Sequence, residues 1–166
     1  MSDGGQLFIP IARPVVSQEE KDAVLEVLDS GQLAQGPRTA SFEEDFAKYT
    51  GVTHAIGVNS GTAALIVALQ AHGIGPGDEV ITTPFSFIAT ATSIIACGAT
   101  PVFIDIDPYD LNMDPGLIED AITDSTKAVL VVHLFGSPAR MTEIVEICEE
   151  YDLALIEDAA QAHGAM

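Results

Sequence analysis

The pattern of apolar and polar residues changes after Gly51, where short apolar runs begin to alternate with helical patterns. The runs at 128–134 and 153–157 lack the apolar–polar alternation of a half-buried strand, so they predict strands covered on both faces. The predicted strands are 54–58, 79–83, 101–106, 128–134 and 153–157, and the predicted helices between them are 62–72, 86–97, 115–122 and 139–150. This alternation predicts an α/β fold in which helices cover both faces of a mostly parallel sheet.

The residues before this change predict an irregular arm and two helices. Residues 1–16 contain glycine and proline breakers, whereas Ser17 and Glu20 form the capping-box pattern that opens a helix, and Gly31 is suited to end it. The second helix is expected to end at Gly51. It carries aromatic residues at i, i+4 and i+7, which predict a buried stripe: Phe42, Phe46 and Tyr49.

The segment 58–65 predicts a strand end, a tight turn and a helix start in immediate succession. Ser60 and Thr62 offer hydroxyl groups, Gly61 lets the backbone approach a ligand, and the first N–H groups of a helix have no partner within it. Such a turn can bind an anion. Alternatively, Asn59 and Ser60 merely cap the helix, and spacing alone favours that interpretation.

Ligands of parallel α/β sheets bind outside the carboxyl ends of the strands, so the residues that follow each predicted strand are the candidates. These segments are 59–62, 83–87, 105–107, 133–136 and 157–163. Together they bring hydroxyl groups, aromatic rings, carboxylates and an amide to one edge of the sheet. That edge is the predicted location of a site.

Composition narrows the classes of partner. The chain has 166 residues, of which 48% are hydrophobic, enough for a globular core. Its 25 acidic and 6 basic residues give a formal net charge of −19, which argues against binding to nucleic acid or to an anionic membrane.

Cys97 and Cys148 lie in apolar helical patterns and are predicted to be reduced core thiols. No apolar run approaches the roughly twenty residues that cross a bilayer, and we predict a cytoplasmic protein.

Several familiar site motifs are absent from the sequence. It has neither the G-x-G-x-x-G of dinucleotide-binding folds, nor a phosphate loop ending in Gly-Lys-Ser/Thr, nor the G-x-S-x-G of a serine hydrolase. The four histidines lack metal-ligand spacing and matching acidic ligands, so a metal site is not predicted. The glycine-rich segment 73–77 follows a helix and precedes a strand, which predicts a turn at the opposite edge of the sheet.

A set of short motifs occurs in a specific order and spacing. They lie at 36–37, 42–43, 59–65 (NSGTAAL), 75–80, 84–90, 101–106, 132–138 and 157–164 (EDAAQAHG). In this order the chain, from about Ile9 onward, resembles the N-terminal half of the DegT/DnrJ/EryC1/StrS sugar aminotransferase family. The resemblance implies the three-layer large domain of the type I pyridoxal-phosphate fold, incomplete in this chain.

The same resemblance implies pyridoxal 5′-phosphate as the cofactor, with its phosphate held at the helix start by Ser60, Gly61 and Thr62. This agrees with the anion site predicted from the unpartnered N–H groups of that helix. Phe87 matches the aromatic position that stacks on the pyridine ring, the alternative being a core aromatic.

Two further residues match positions around the cofactor ring. Asp158 matches the carboxylate that pairs with the protonated ring nitrogen and lets the ring act as an electron sink. Without a cofactor, Asp158 would be a cap or a solvated loop residue. Gln161 matches a side chain near the ring hydroxyl, and His163 is expected to be structural.

The family also uses a lysine that forms a Schiff base with the cofactor. The resemblance implies that this lysine lies beyond Met166, so no catalytic residue is predicted within the 166 residues. Lys21 and Lys48 are predicted on exposed helix faces, and Lys127 is predicted to precede its strand at the opposite edge, so none is a candidate.

We therefore expect a fragment. It would comprise an arm and helix at 1–35 and a partial cofactor-binding domain at 36–166, without the C-terminal strands, the catalytic lysine and the small domain. Because it would lack the lysine, it is expected to be inactive, and because one edge of its sheet would be unpaired, it is expected to fold weakly or aggregate alone.

The function implied is that of a pyridoxal-phosphate-dependent aminotransferase that transfers an amino group from glutamate to a nucleotide-linked keto sugar. The complete enzyme is expected to be a homodimer that shares its sites between subunits. Two alternatives remain at this point. One is a dehydratase of the same family, in which histidine replaces the lysine, and the other is a noncatalytic relic that binds phosphate compounds.

Overall fold

The computed structural model describes residues 9–10 and 12–165. These residues form two compact units, one up to Gly57 and one from Val58 onward, which are described in turn. Of the predicted arm, residues 12–16 are irregular as expected, whereas residues 1–8 and 11 lie outside the described residues, as does Met166 at the other end. The division into 1–35 and 36–166 concerns the organisation of the family and stays a prediction.

The first unit contains two helices with the predicted ends. Helix α1 spans Gln18–Ser30 and helix α2 spans Pro37–Thr50. The capping box expected at the start of α1 is present, because both of its reciprocal hydrogen bonds form. Gly31 and Gly51 end the two helices in the left-handed conformation, which costs glycine little.

The aromatic residues of α2 share a face but do not form a core. Phe42 and Tyr49 are 57% and 65% exposed, and Ala47 is the buried residue of this helix. Phe46 contacts both neighbouring rings, with centroid distances of 5.6 and 6.4 Å. The prediction of a buried stripe is wrong, because helical spacing fixes a common face and does not supply an element that covers it.

Residues 54–58 were predicted as a strand and form none. A strand requires a ladder of backbone hydrogen bonds to a neighbour. At Gly57, side chains take the place of that neighbour: its N–H donates to Glu43 Oε1 at 2.7 Å, and its carbonyl accepts from Gln35 Nε2 at 3.1 Å. The apolar run therefore remains irregular chain without a partner strand among the described residues.

The second unit is a parallel sheet with helices between the strands. Its elements are α3 (Gly61–Ala71), β1 (Glu79–Thr82), α4 (Ala89–Ala96), β2 (Thr100–Phe103), α5 (Ile118–Ala121), β3 (Thr126–Val132), α6 (Met141–Glu150) and β4 (Ala154–Asp158). Within the described residues the strand order is β2–β1–β3–β4, and every pair is parallel. The direction of the connections reverses between β1 and β3, which creates a crevice outside the carboxyl ends of these strands.

Strand β3 supplies side chains to both faces of the sheet. Ala128, Leu130 and Val132 pack with residues of α3 and α4, whereas Val129 and Val131 pack with residues of α5 and α6. Helices therefore cover both faces, as the lack of alternation in this run predicts. The predicted fold class, a three-layer α/β arrangement, is confirmed.

Several predicted elements differ from the structure by one to three residues at their ends, and two of these differences change the local structure. Strand β2 ends at Phe103 instead of residue 106, and Ile106 pairs with Met113 in an isolated antiparallel bridge. The predicted helix 115–122 begins as a 3-10 turn at Pro115–Leu117 before it continues as α5. Strand β2 ends early because residues 104–114 fold back on themselves instead of extending the strand.

The cysteines are free thiols within the apolar packing of this unit. Burial raises the pKa of the Cys148 thiol to about 11 and also raises that of Cys97. In residues 9–10 and 12–165, no helix is long and apolar enough to cross a membrane. The same residues contain no group of three His, Cys, Asp or Glu side chains that could hold a metal ion.

Candidate functional site

A cavity of about 240 Å³ lies at the carboxyl ends of β1, β3 and β4, and the N-terminus of α3 also lines it. It includes five of the six site residues predicted from the sequence. The lining residues are Gly61, Thr62, Leu65, Ser86, Phe87, Ala89, Val132, His133, Leu134, Asp158, Ala160 and Gln161. The packing of α3, β1, β3 and β4 therefore brings together segments that are far apart in the chain.

The N-terminus of α3 supplies backbone donors to the cavity. The Ser60 hydroxyl accepts a hydrogen bond from the Ala63 N–H at 3.1 Å, and the Ser60 carbonyl accepts from Ala64 at 3.0 Å. Ser60 is thus the N-cap, and it does not line the cavity. The N–H groups of Gly61 and Thr62 have no partner among the described residues, so the positive end of the helix dipole faces the cavity.

Asp158, the last residue of β4, supplies a negative charge to the same cavity. Its backbone carbonyl accepts from the His133 N–H at 3.1 Å, which continues the pairing of β3 with β4. Its Oδ1 accepts from the Ala160 N–H at 3.2 Å. The carboxylate is therefore held by its own turn and keeps its other oxygen available to a ligand.

Phe87 and Gln161 occupy the remaining walls. Phe87 lines the cavity and is 73% exposed, so it is not a core aromatic. Gln161 Oε1 accepts from the Phe135 N–H at 2.8 Å. This contact uses one of the two lone pairs of the oxygen and leaves the Nε2 hydrogens of Gln161 available to a ligand.

His133 lines the cavity and was not among the predicted site residues. Its Nδ1 accepts from the Ala139 N–H at 3.1 Å, so this nitrogen carries no proton and the ring proton lies on Nε2. Nε2 lies 3.0 Å from Glu157 Oε2 and donates to it. The position of His133, directly after a buried strand, was the signal that could have identified it.

No lysine lines this cavity in the part of the chain that the structure describes. Lys21 and Lys48 are exposed on α1 and α2, as predicted. Lys127 is the second residue of β3 and does not precede the strand, because β3 already pairs with β1 at Thr126. Lys127 lines a different cavity at the amino ends of the strands, together with Asp152.

The Schiff-base lysine was predicted to lie beyond Met166, and this placement stays a prediction. Met166 itself falls outside the described residues, which reach 165. The described part of the cavity therefore contains candidates for holding a cofactor and no candidate for bonding to it covalently.

A family model, that of the DegT/DnrJ/EryC1/StrS aminotransferase family, matches residues 14–166. The chain belongs to this family. Solved structures of DegT/DnrJ/EryC1/StrS proteins have the pyridoxal-phosphate transferase type I fold, and this chain matches that fold as a partial domain.

Relatives of this family match nearly the whole chain. The spore coat polysaccharide biosynthesis protein SpsC of Bacillus subtilis is 50% identical over 93% of this chain and 40% of its own length. GDP-perosamine synthase of Caulobacter vibrioides is 47% identical over 95% of this chain and 43% of its own. NtdA from Bacillus subtilis, solved with bound cofactor PMP, has a TM-score of 0.86 and 39% identity, covering 90% of this chain and 35% of NtdA. The chain spans about two fifths of the length of these curated relatives.

Proposed function

We propose that this chain is the cofactor-binding part of a pyridoxal-phosphate-dependent aminotransferase. The observation that carries the proposal is that the lining of one cavity contains groups of opposite polarity: unpartnered N–H groups at Gly61 and Thr62, and a carboxylate at Asp158. The cofactor has the same two features, an anionic phosphate and a ring nitrogen that can be protonated. A helix N-terminus favours the first, and a carboxylate stabilises the second.

The residues present fit such a group. A cavity of about 240 Å³ is smaller than the roughly 300–1,000 Å³ of sites for drug-sized ligands, which suits one small cofactor. A Cβ added to Gly61 would meet nothing within 4 Å, so no other residue fills the space beside this glycine. When bound, the cofactor supplies an electron sink. Phe87 would pack on its ring, Asp158 would hold the proton at the ring nitrogen, and Gln161 would donate to the ring hydroxyl.

We further propose glutamate as the amino donor and a nucleotide-linked keto sugar as the acceptor. The names of two relatives, GDP-perosamine synthase and a spore coat polysaccharide biosynthesis protein, support a role in sugar biosynthesis. Because no lysine lines the described cavity, the Schiff-base lysine would come from beyond Met166, and this chain alone would be inactive. The complete protein would act in the cytoplasm as a homodimer.

Titration with pyridoxamine 5′-phosphate (PMP) tests the proposal, because this form of the cofactor binds without a lysine. Asp158→Asn removes the negative charge at the ring end, and Glu146→Gln is the matched control, an exposed carboxylate on α6 outside the cavity. Losing a charge-assisted hydrogen bond costs about 1.5–3 kcal/mol, so we expect Asp158→Asn to weaken PMP binding by roughly 10- to 100-fold. Glu146→Gln should leave the affinity unchanged.

Two further ligands separate the rival functions. Pyridoxamine without phosphate should bind far more weakly than PMP, because it cannot use the N-terminus of α3. Inorganic phosphate that binds as tightly as PMP, with no effect of Asp158→Asn, would instead support a relic that binds phosphate compounds. Absence of PMP binding by the unaltered chain would refute the proposal.

A further inference from the structure

Asn112 is a buried polar residue that lies outside the cavity, in the segment that follows β2. Its Oδ1 accepts from the Leu134 N–H at 3.1 Å, and its Nδ2 donates to the Ser137 carbonyl at 3.1 Å. The two bonds close the ends of a 3-10 turn at Leu134–Gly136. Because one end offers a donor and the other an acceptor, only one orientation of the amide satisfies both.

The turn held by Asn112 has an unfavourable backbone. Phe135 has φ 55° and ψ 22°, in the left-handed region, where a residue with a Cβ is strained. Its side chain is 72% exposed, so burial does little to compensate. A strained turn of this kind persists only where its surroundings fix it, and here two side-chain amides bond its N–H groups.

The second of these amides belongs to Gln161, which lines the cavity. Gln161 Oε1 accepts from the Phe135 N–H at 2.8 Å, and the two backbones are close, because a Cβ at Gly136 would stand 3.2 Å from the Gln161 carbonyl. The direction of the Phe135 N–H thus decides where the Gln161 amide points. That direction depends on the turn, and the turn is closed by Asn112.

The backbone of Asn112 is itself held by hydrogen bonds to residues shortly before it in the chain. Its N–H donates to Asp110 Oδ1 at 2.8 Å, and its carbonyl accepts from the Asp107 N–H at 2.9 Å. Arg140, four residues after the turn, donates to the carboxylates of Asp107 and Asp114 at 2.9 and 3.0 Å. The segment that carries Asn112 is therefore tied to the segment that follows β3 by charged contacts as well.

We propose that Asn112 is a positioning residue, which acts through the turn at 134–137 to hold the Gln161 amide with its Nε2 directed at the cofactor site. Asn112 touches no ligand. Its contribution is to fix a strained turn whose N–H groups orient Gln161. The part of this proposal that concerns the cofactor rests on the proposed function, whereas the link from Asn112 to Gln161 does not.

Hydrogen exchange on the unaltered 166-residue chain tests the link without any substitution. Leu134 is buried whereas Phe135 is exposed, and the N–H group of each is bonded to a side-chain amide. We expect both to exchange at least about tenfold more slowly than in an unstructured peptide. Exchange at the unstructured rate for either group would overturn the proposal.

Variants of Asn112 then test its effect on Gln161 and on PMP. Asn112→Asp keeps the acceptor and loses the donor, and Asn112→Ala loses both. Thr126→Val is the matched control: it removes a buried hydroxyl that accepts from the Thr123 N–H at 2.9 Å, at the amino edge of the sheet. We expect both Asn112 variants to shift the NMR signals of the Gln161 side-chain amide. They should also raise the dissociation constant of PMP by roughly threefold to tenfold, as for the loss of one neutral hydrogen bond.

The outcomes separate this proposal from the proposed function. If an Asn112 variant loses stability as Thr126→Val does but keeps the Gln161 signals and the PMP affinity, the role is merely structural and the proposal is refuted. If Asn112→Ala does not fold, the measurements on Asn112→Asp and the hydrogen exchange of the unaltered chain still test whether Asn112 positions Gln161. Failure of the unaltered chain to bind PMP would overturn the proposed function and the cofactor part of this proposal. Hydrogen exchange at the Phe135 N–H would still test the link from Asn112 through the turn to Gln161.

Discussion

Replacement of Gly61 by alanine should strengthen the fold and weaken cofactor binding at the same time. Gly61 is the first residue of α3, its φ is not in the left-handed region, and an added Cβ would meet nothing within 4 Å. The protein itself therefore has no steric need for glycine at this position. The proposed phosphate does, because it would approach the Gly61 N–H directly.

The two effects can be estimated separately. Where alanine adopts the native conformation without strain, replacing glycine stabilises a protein by about 0.4–1 kcal/mol, mainly by restricting the unfolded chain. In the proposed bound state, the added methyl group would crowd the phosphate at the Gly61 N–H. Losing one hydrogen bond to a charged group costs about 1.5–3 kcal/mol, so the dissociation constant of PMP should rise roughly tenfold or more.

Urea unfolding gives the stability and a fluorescence titration gives the PMP affinity. Ala64→Gly is the matched control, because Ala64 lies exposed on the same helix and outside the cavity. It should show the reverse pattern, a loss of about 1 kcal/mol with unchanged affinity. If Gly61→Ala destabilises the chain, the argument that the fold does not need this glycine is wrong. If it leaves PMP affinity unchanged, the phosphate does not bind at this helix start.

Further results are expected at four positions. Ser60→Ala should cost about 1 kcal/mol in urea unfolding, through loss of the cap on Ala63, and Ser60→Asp should restore most of it. Leu130→Ala should cost about 2–5 kcal/mol, because Leu130 is fully buried in the sheet; a smaller loss would contradict its core position. Phe87→Ala should change the stability by less than about 0.5 kcal/mol, since the ring is exposed, yet weaken PMP binding. Cys148, with a thiol pKa of about 11, should react with a disulfide reagent at about pH 8 roughly 100-fold more slowly in the folded than in the unfolded chain. Because this folded pKa lies above the ordinary thiol value of 9.0, the contribution of Cys148 to stability is present below pH 9.0 and is lost as the pH rises through about 11. Equal rates of reaction of Cys148 with the disulfide reagent in the folded and the unfolded chain would show that this thiol is not buried.

Local sequence rules predicted the elements whose ends depend on their own residues. The capping box and Gly31 define α1, and the strand buried on both faces was correctly predicted, although at 128–134 instead of Thr126–Val132. The same rules were wrong where an element needs a distant partner. Residues 54–58 have strand composition but no neighbouring strand, and the aromatic face of α2 has no covering element among the described residues.

For the site, the sequence by itself determined which residues follow each strand and which turn begins a helix, because strand ends, caps and helix starts are set by neighbours a few residues away. It could not decide which of these ends meet. The order β2–β1–β3–β4 placed the start of α3, Phe87, His133 and Asp158 around one cavity, and left Ser60 outside it as a cap. Only tertiary packing fixes such long-range contacts, because they form between segments whose local patterns are independent of one another. For the same reason only the structure revealed Asn112, whose amide is satisfied by a turn that lies far along the chain.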